Sequence, residues 1–296
     1  MLSPLLSAAA RSERTRRLVT AMPPTRRVVD RFVAGEALGD ALDTARELAA
    51  AGLAVTLDHL GEDTRDRARA DRARDAYLEL FSGLTGDAEA SVKLSALGLA
   101  LDDSLALDNA RLICAAAERA GMTVTVDMED HTTVDATLDL VRELRADFPW
   151  VGVAIQAMLR RSEGDLRDLA GSRVRLVKGA YAEPASVAYQ TSHEIDRAYA
   201  RGLRLLMAGD GYPMVATHDP RLIEIAQRLA DSREPRSCEF QMLYGIRVPE
   251  QLRLAAAGER MRVYVPYGAD WYGYFMRRLA ERPANLTFFL RSFVSR

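Results

Sequence analysis

Short apolar segments recur along the chain, with room for a helix between each and the next. They are AVTLDHLG from Ala54, ASVKLSA from Ala90, MTVTVDME from Met122, VGVAIQAM from Val151, RVRLVKGA from Arg173, PMVATHD from Pro213, CEFQML from Cys238 and RVYVPYG from Arg262, eight in all. Each has the length and β-branched content of a buried strand, and several are apolar on both faces, as parallel strands covered by helices must be. Between them the period changes to 3.6 residues, as in DNARLICAAAERAG (108–121), VDATLDLVRELRAD (134–147) and DPRLIEIAQRLAD (219–231), the last opened by an Asp-Pro helix-start signal. Eight strand–helix units predict an α/β fold, a (β/α)8 barrel of the TIM type. A doubly wound open sheet is the alternative. It should carry a Gly-rich turn after an early strand, and no G-x-G-x-x-G occurs. The stretches RRVVDRFV and ALGDALDTARELAAAG ahead of the first strand read as helical, giving a helical segment over 1–53 and a barrel over 54–296.

Composition narrows the function classes. With 40 Lys+Arg against 42 Asp+Glu the formal net charge is −2, which gives no reason to expect a nucleic-acid partner. The run EDTRDRARADRARD (62–75) alternates charge at helical spacing, the pattern of a solvated helix face. Cys114 and Cys238 are too few for a disulfide framework and point to a reducing compartment. The opening MLSPLLSAAAR has no basic residue ahead of its apolar stretch and does not read as a secretory signal. No window reaches the ~18 apolar residues that span a bilayer. A cytoplasmic chain is expected.

The active site of such a barrel lies at the C-terminal ends of its strands. Polar residues there are dense: Asp58, His59 and Glu62; Lys93 and Ser95; Asp127, Glu129 and Asp130; Gln156; Arg175 and Lys178; Thr217, His218 and Asp219; Glu239 and Gln241; Tyr264 and Tyr267. Single buried charges are often paired structural groups, but their presence on nearly every strand favours a polar ligand site. The four histidines lack zinc-site spacing, and no G-x-S-x-G elbow is present. Both cysteines read as packing residues. Lys93, Arg175, Lys178, Arg277 and Arg278 can bind a phosphate, a carboxylate or an anionic cofactor. A last helix from about Asp270 would set Arg277 and Arg278 about 100° apart, so that both reach one ligand over the barrel mouth. A strand-end lysine, Lys178 or Lys93, keeps a Schiff-base lyase open as a second reading, and a catalytically dead binding module is a third.

The segments LDHLGE, VKLSALG, VTVDMED, VAIQAMLRR, VRLVKGAY, VATHD, CEFQMLYG and VYVPYGADWYGYFMRRLAER occur together in this order. In that combination the chain resembles the proline dehydrogenases, and its length that of the single-function bacterial members. The resemblance implies a distorted barrel holding non-covalent FAD, which oxidises L-proline to Δ1-pyrroline-5-carboxylate by hydride transfer. Electrons would pass to a quinone, with a peripheral contact on the inner face of the membrane. By motif position Lys93, Arg277 and Arg278 would clamp the proline carboxylate, and Tyr264, Tyr274 and Leu243 would line the ring pocket. Asp127 would be an active-site carboxylate and Glu62 the partner of Arg277 in an ion-pair gate. Arg175 would lie near flavin N5, as a catalytic positive charge. Met128, Gln156, Val177, Lys178, Gly179, Ala180, Thr217 and His218 fall on further cofactor positions, with Glu281 and Phe288 on the same side. Ala182 stands where some relatives have tryptophan. Relatives that prefer hydroxyproline carry a smaller residue where Tyr264 stands, so the tyrosine favours proline.

Overall fold

A computed structural model describes residues 29–169 and 171–281, with side chains through Arg278. Eight parallel strands close into a barrel in sequence order. They are β1 (Ala54–His59), β2 (Ala88–Val92), β3 (Thr123–Val126), β4 (Gly152–Gln156), β5 (Arg173–Val177), β6 (Tyr212–Ala216), β7 (Glu239–Leu243) and β8 (Met261–Tyr267). Closure is made by β8 against β1, in register from Ala54↔Arg262 to His59↔Tyr267. Around the strands run α1 (Leu38–Ala50), α2 (Arg67–Gly83), α3 (Asp103–Arg119), α4 (Val134–Asp147), α5 (Ser162–Asp168), α6 (Ser192–Ala208), α7 (Pro220–Ala230), α8 (Val248–Ala256) and α9 (Trp271–Glu281). The expected (β/α)8 barrel is the observed fold, and the open sheet is excluded by the β1–β8 pairing.

Local chemistry sets the boundaries. Asp219 caps α7 by accepting the Arg221 N–H (3.0 Å), with Pro220 in the first turn. Thr191 and Glu194 form a reciprocal capping box at the start of α6. The mixed-charge helix starts later than expected, at Arg67 behind its cap Asp66, and buries Tyr77 and Leu80 while its charges face outward. Strand β2 begins two residues before the expected Ala90, at Ala88, because Glu89 is a wholly buried charge inside an apolar run. Lys93 therefore lies just beyond the strand end.

Apolar packing between sheet and helices forms the main core. A second cluster joins Val29, Phe32 and Val33 to Leu60 and to Trp271 and Phe275 of α9. Here the chain passes so close to the β7–α8 turn that a Cβ on Gly245 would lie 1.8 Å from the Arg31 carbonyl oxygen. Gly245 also has φ +71°, so glycine is required on both counts. Of the expected 1–53 helical segment, α1 is observed, and residues 1–28 lie outside the described residues. Glu239 needs correction. It is the first residue of β7, at the N-terminal end of the barrel, where its carboxylate accepts from Arg262 Nε (2.8 Å) and Arg260 Nε (3.1 Å). Entry into the strand, not exit, decides its position, so it is a structural counter-charge far from the mouth.

Candidate active site

The barrel interior alternates charges layer by layer. Above the Glu239–Arg262 pair lies Glu89, whose oxygens accept from Thr56 Oγ1 (3.0 Å), Thr125 Oγ1 (2.9 Å), Arg173 Nη2 (3.2 Å) and Arg175 Nη2 (2.5 Å). Burial raises its proton affinity, but Arg175, Arg262 and Arg173 together hold it well below the ordinary carboxylate range. Arg175 uses its other fork nitrogen on Ser91 Oγ (2.6 Å) and Asp127 Oδ1 (2.8 Å), and its Nε is buried with no hydrogen-bond partner among the described residues. Its guanidinium carbon sits 5.4 Å from the Tyr264 ring centre.

One layer further up, at the strand ends, Lys93 Nζ lies 2.7 Å from Asp58 Oδ2, 3.2 Å from Asp127 Oδ2 and 3.5 Å from Tyr264 Oη. The Tyr264 hydroxyl reaches the same two oxygens, at 2.8 Å (Asp58) and 2.7 Å (Asp127), with a single proton to donate. Burial alone would neutralise Lys93, yet Asp58 and Asp127 raise its proton affinity well above the lysine value. Asp127 shows the converse: burial raises it, Lys93 and Arg175 lower it more, and it stays a carboxylate. Burial and then the two aspartates keep Tyr264 a neutral phenol. A lysine held as ammonium is a point charge for an anion and a poor Schiff-base nucleophile.

The lid of this cluster is α9. Arg277 makes a two-pronged pair with Glu62, Nη1 to Oε1 at 2.7 Å and Nη2 to Oε2 at 3.0 Å, and its guanidinium lies 5.9 Å from the Tyr181 ring centre. Gly273, one turn earlier, lets the Glu62 carboxylate come close to the helix: an added Cβ would sit 3.2 Å from Oε1. Arg278 is buried against the Tyr274 ring at 5.0 Å. A cavity of about 120 Å³ is bounded by Glu62, Lys93, Tyr274 and Arg277. A larger one of about 470 Å³ opens at the other end of the barrel, beside Arg46, Asp87 and Arg260. Size does not choose between them. The smaller cavity is the one that touches the strand-end charge cluster, where barrel chemistry is done.

The expected cofactor residues form an arc beside this cluster, on β3 to β6. Gln156 is buried and donates to the Glu129 carbonyl (2.7 Å), and Met128 is buried next to it in the chain. Val177, Gly179 and Ala180 are half-buried at the end of β5. Gly179 has φ +114°, and a Cβ there would meet Met158 Sδ at 2.4 Å, so a glycine is demanded. Lys178 is already held between Asp196 (2.5 Å) and Asp219 (3.1 Å). Thr217 Oγ1 accepts the Asp219 N–H (3.1 Å), and His218 Nε2 accepts the Leu243 N–H (3.0 Å). The Glu281 side chain and Phe288 lie outside the described residues.

Asp58, Ser95 and Glu129 have no role from the sequence alone, and Glu89, Ser91 and Tyr181 join the cluster only in the structure. The alternation Glu89–Ser91–Lys93 on one face of β2 would have exposed the first two. Glu129 sits above Asp127, where Ser95 donates to it from N (3.0 Å) and Oγ (2.5 Å).

The proline dehydrogenase family profile matches residues 41–291. The chain is 40% identical over 279 residues to proline dehydrogenase 1 of Bacillus subtilis subsp. natto, with 92% of each chain covered. It is 42% identical over 273 residues to the proline dehydrogenase of Deinococcus radiodurans, covering 88% of each. A crystal structure of proline utilization A from Bdellovibrio bacteriovorus, inactivated by N-propargylglycine, superposes with a TM-score of 0.80 at 26% identity over 87% of this chain; the chain spans about a third of that larger protein, 33%. Agreement across nearly the whole length, and not over a shared barrel alone, means that the chain belongs to the proline dehydrogenase family and oxidises proline to Δ1-pyrroline-5-carboxylate, the first step of proline catabolism.

Proposed function

We propose that the chain carries out this oxidation with FAD bound across the C-terminal ends of β3 to β6 and L-proline enclosed between that arc and α9. The single observation that carries the reading is the cluster of Lys93, Asp127, Tyr264 and Arg175 beneath the Glu62–Arg277 pair. The residues fit a flavin: Arg175 has a buried Nε without a partner among the described residues, a donor in search of an acceptor atom. Met128, Gln156, Val177, Lys178, Gly179, Ala180, Thr217, His218 and Glu281 would hold the cofactor. When bound, FAD supplies the two-electron acceptor that the oxidation requires.

The chain's own groups do the rest. Lys93, Arg277 and Arg278 clamp the carboxylate, combining a point charge with planar forks. Tyr264, Tyr274 and Leu243 enclose the ring, so that one orientation of the C–H bond is enforced before reaction. Arg175, fixed by Glu89 and Asp127, offers positive charge where negative charge develops. Asp127 orients both Arg175 and Lys93. The Glu62–Arg277 pair excludes water once closed and must part to admit substrate. Electrons leave to a quinone at a membrane surface; among the described residues no helix is long and apolar enough to cross one.

Arg277→Met and Arg278→Met test the assignment. Each should raise the proline KM by one to two powers of ten, roughly the worth of a charge-assisted contact, while FAD stays bound. Loss of FAD with unchanged proline affinity in the remaining holoenzyme would overturn it.

A further inference from the structure

Asp58 belongs to none of the roles above, yet it is the most enclosed acid of the mouth cluster, at 1% exposure. It sits at the end of β1, between β2 and β8, and one oxygen does all its bonding: Oδ2 takes both the Lys93 ammonium at 2.7 Å and the Tyr264 hydroxyl at 2.8 Å. Its Oδ1 is buried without a hydrogen-bond partner among the described residues. A purely structural carboxylate in a barrel interior is saturated on both oxygens, as Glu89 is. Lys93, meanwhile, faces two carboxylates. Asp127 is shared with Arg175 and Ser91, so Asp58 is the shorter contact and the less committed acid.

We propose that Asp58 is the positioning residue of the carboxylate clamp: it holds Lys93 as an ammonium aimed at the mouth and fixes Tyr264 beside it, without touching the substrate carboxylate. The inference rests on the reading of Lys93 as a clamp. An incoming carboxylate needs a nitrogen that keeps its charge after losing water and cannot fold back onto Arg175's acids. Asp58 supplies the charge that Lys93 requires in a dry site, and the two-point hold on Lys93 and Tyr264 fixes their separation.

A dependence on pH follows. Lys93 is faced by Asp58 and His59 from β1, Asp127 and Glu129 from beyond β3, Tyr264 from β8, Tyr77 from α2, Glu62 from the β1–α2 loop, Tyr181 from the β5–α6 loop and Arg277 from α9. Asp58 is the largest of the influences that keep it protonated. Removing that charge leaves burial and Asp127 in opposition, so Lys93 loses its proton at lower pH. The alkaline limb of proline binding, where KM climbs as Lys93 deprotonates, moves down the pH scale.

The test compares Lys93→Met, Asp58→Asn and the double variant Asp58→Asn/Lys93→Met as FAD-loaded enzymes with L-proline. Asp58→Asn should raise KM about tenfold, leave kcat within a few-fold, and bring the alkaline limb of KM to lower pH. The double variant, which leaves no unpaired charge, should match Lys93→Met in KM, because Asp58 acts through Lys93 while Asp127 and the asparagine oxygen can still accept from Tyr264. It decides the matter even where Asp58→Asn alone does not fold. Asp58→Glu should restore part of the KM and the position of the limb. A double variant an order of magnitude weaker than Lys93→Met, or an Asp58→Asn enzyme with the original KM and pH profile, would overturn the proposal. If Lys93→Met itself leaves KM unchanged, it is the clamp reading that fails.

Discussion

At the scale of single residues, the site works because opposite charges are buried together. Lys93 and Asp127 each face a desolvation cost that would neutralise them alone, and each keeps its charge through the other. The Glu62–Arg277 pair follows the same rule nearer the surface. Burial pushes Glu62 up, Arg277 pulls it further down, and its net proton affinity falls below the ordinary value of 4.5. The stabilisation from this pair is therefore complete above that pH and fades as pH drops through the lowered value. Proline KM should accordingly show no break from Glu62 titration between about pH 5 and pH 8. Glu62→Gln should remove the acid-side weakening of α9 closure, measured as the pH dependence of proteolysis near residue 281. A KM break near the ordinary glutamate value in the parent enzyme, absent from Glu62→Gln, would contradict the pairing. The lysine, aspartate and arginines of this layer were legible by motif position. Asp58 and Glu89 gained no role, since a lone acid in an apolar run says nothing about which cation it will meet across the barrel.

At the scale of elements, α9 carries both arginines and is held by packing more than by charge. Phe275 is fully buried, with ring contacts to Phe32 (6.4 Å) and Trp271 (5.9 Å), and the Val29–Val33 stretch lies against it. Phe275→Ala should cost about 3–5 kcal/mol locally. It should raise proline KM more than it lowers the global Tm, because the helix and not the barrel loosens. An equal loss in Tm with unaltered KM would show that α9 position does not govern the clamp. At the end of β5 the demand is conformational. Gly179→Ala meets Met158 and a positive φ, and should weaken FAD retention; adding Met158→Ala relieves the collision but not the backbone strain of about 1–3 kcal/mol, so rescue is partial. Full rescue, read as FAD content after gel filtration, would mean that the collision alone matters. Strand–helix alternation revealed these elements in the sequence. The roles proposed for them as clamp and cradle were legible only through the ordered motifs, because α9 reads as an ordinary amphipathic helix, whereas its described side chains, Trp271 to Arg278, are all buried or half-buried.

At the scale of the whole molecule, the near-neutral charge resolves into stacked layers of buried ion pairs with different duties. In the lowest, which pairs Glu239 with Arg262 and Arg260, Glu239 was expected at the mouth and belongs to the opposite end, since position along a strand and not membership of it decides which end a side chain serves. Arg262→Met takes one of its two cations from the buried Glu239 carboxylate, leaving Arg260, and should destabilise the barrel by about 3 kcal/mol while leaving proline KM of the folded holoenzyme unchanged. A changed KM with an unaltered Tm would mean that the layers are not separable. Whether these layers build a flavin site for proline oxidation is decided by one spectrum. Purified protein reconstituted with FAD is titrated with L-proline without oxygen. The visible flavin band should bleach with proline, and Arg277→Met should need far more proline for the same bleaching. A protein that takes up no FAD, or a flavin band that L-proline leaves untouched, would contradict that assignment.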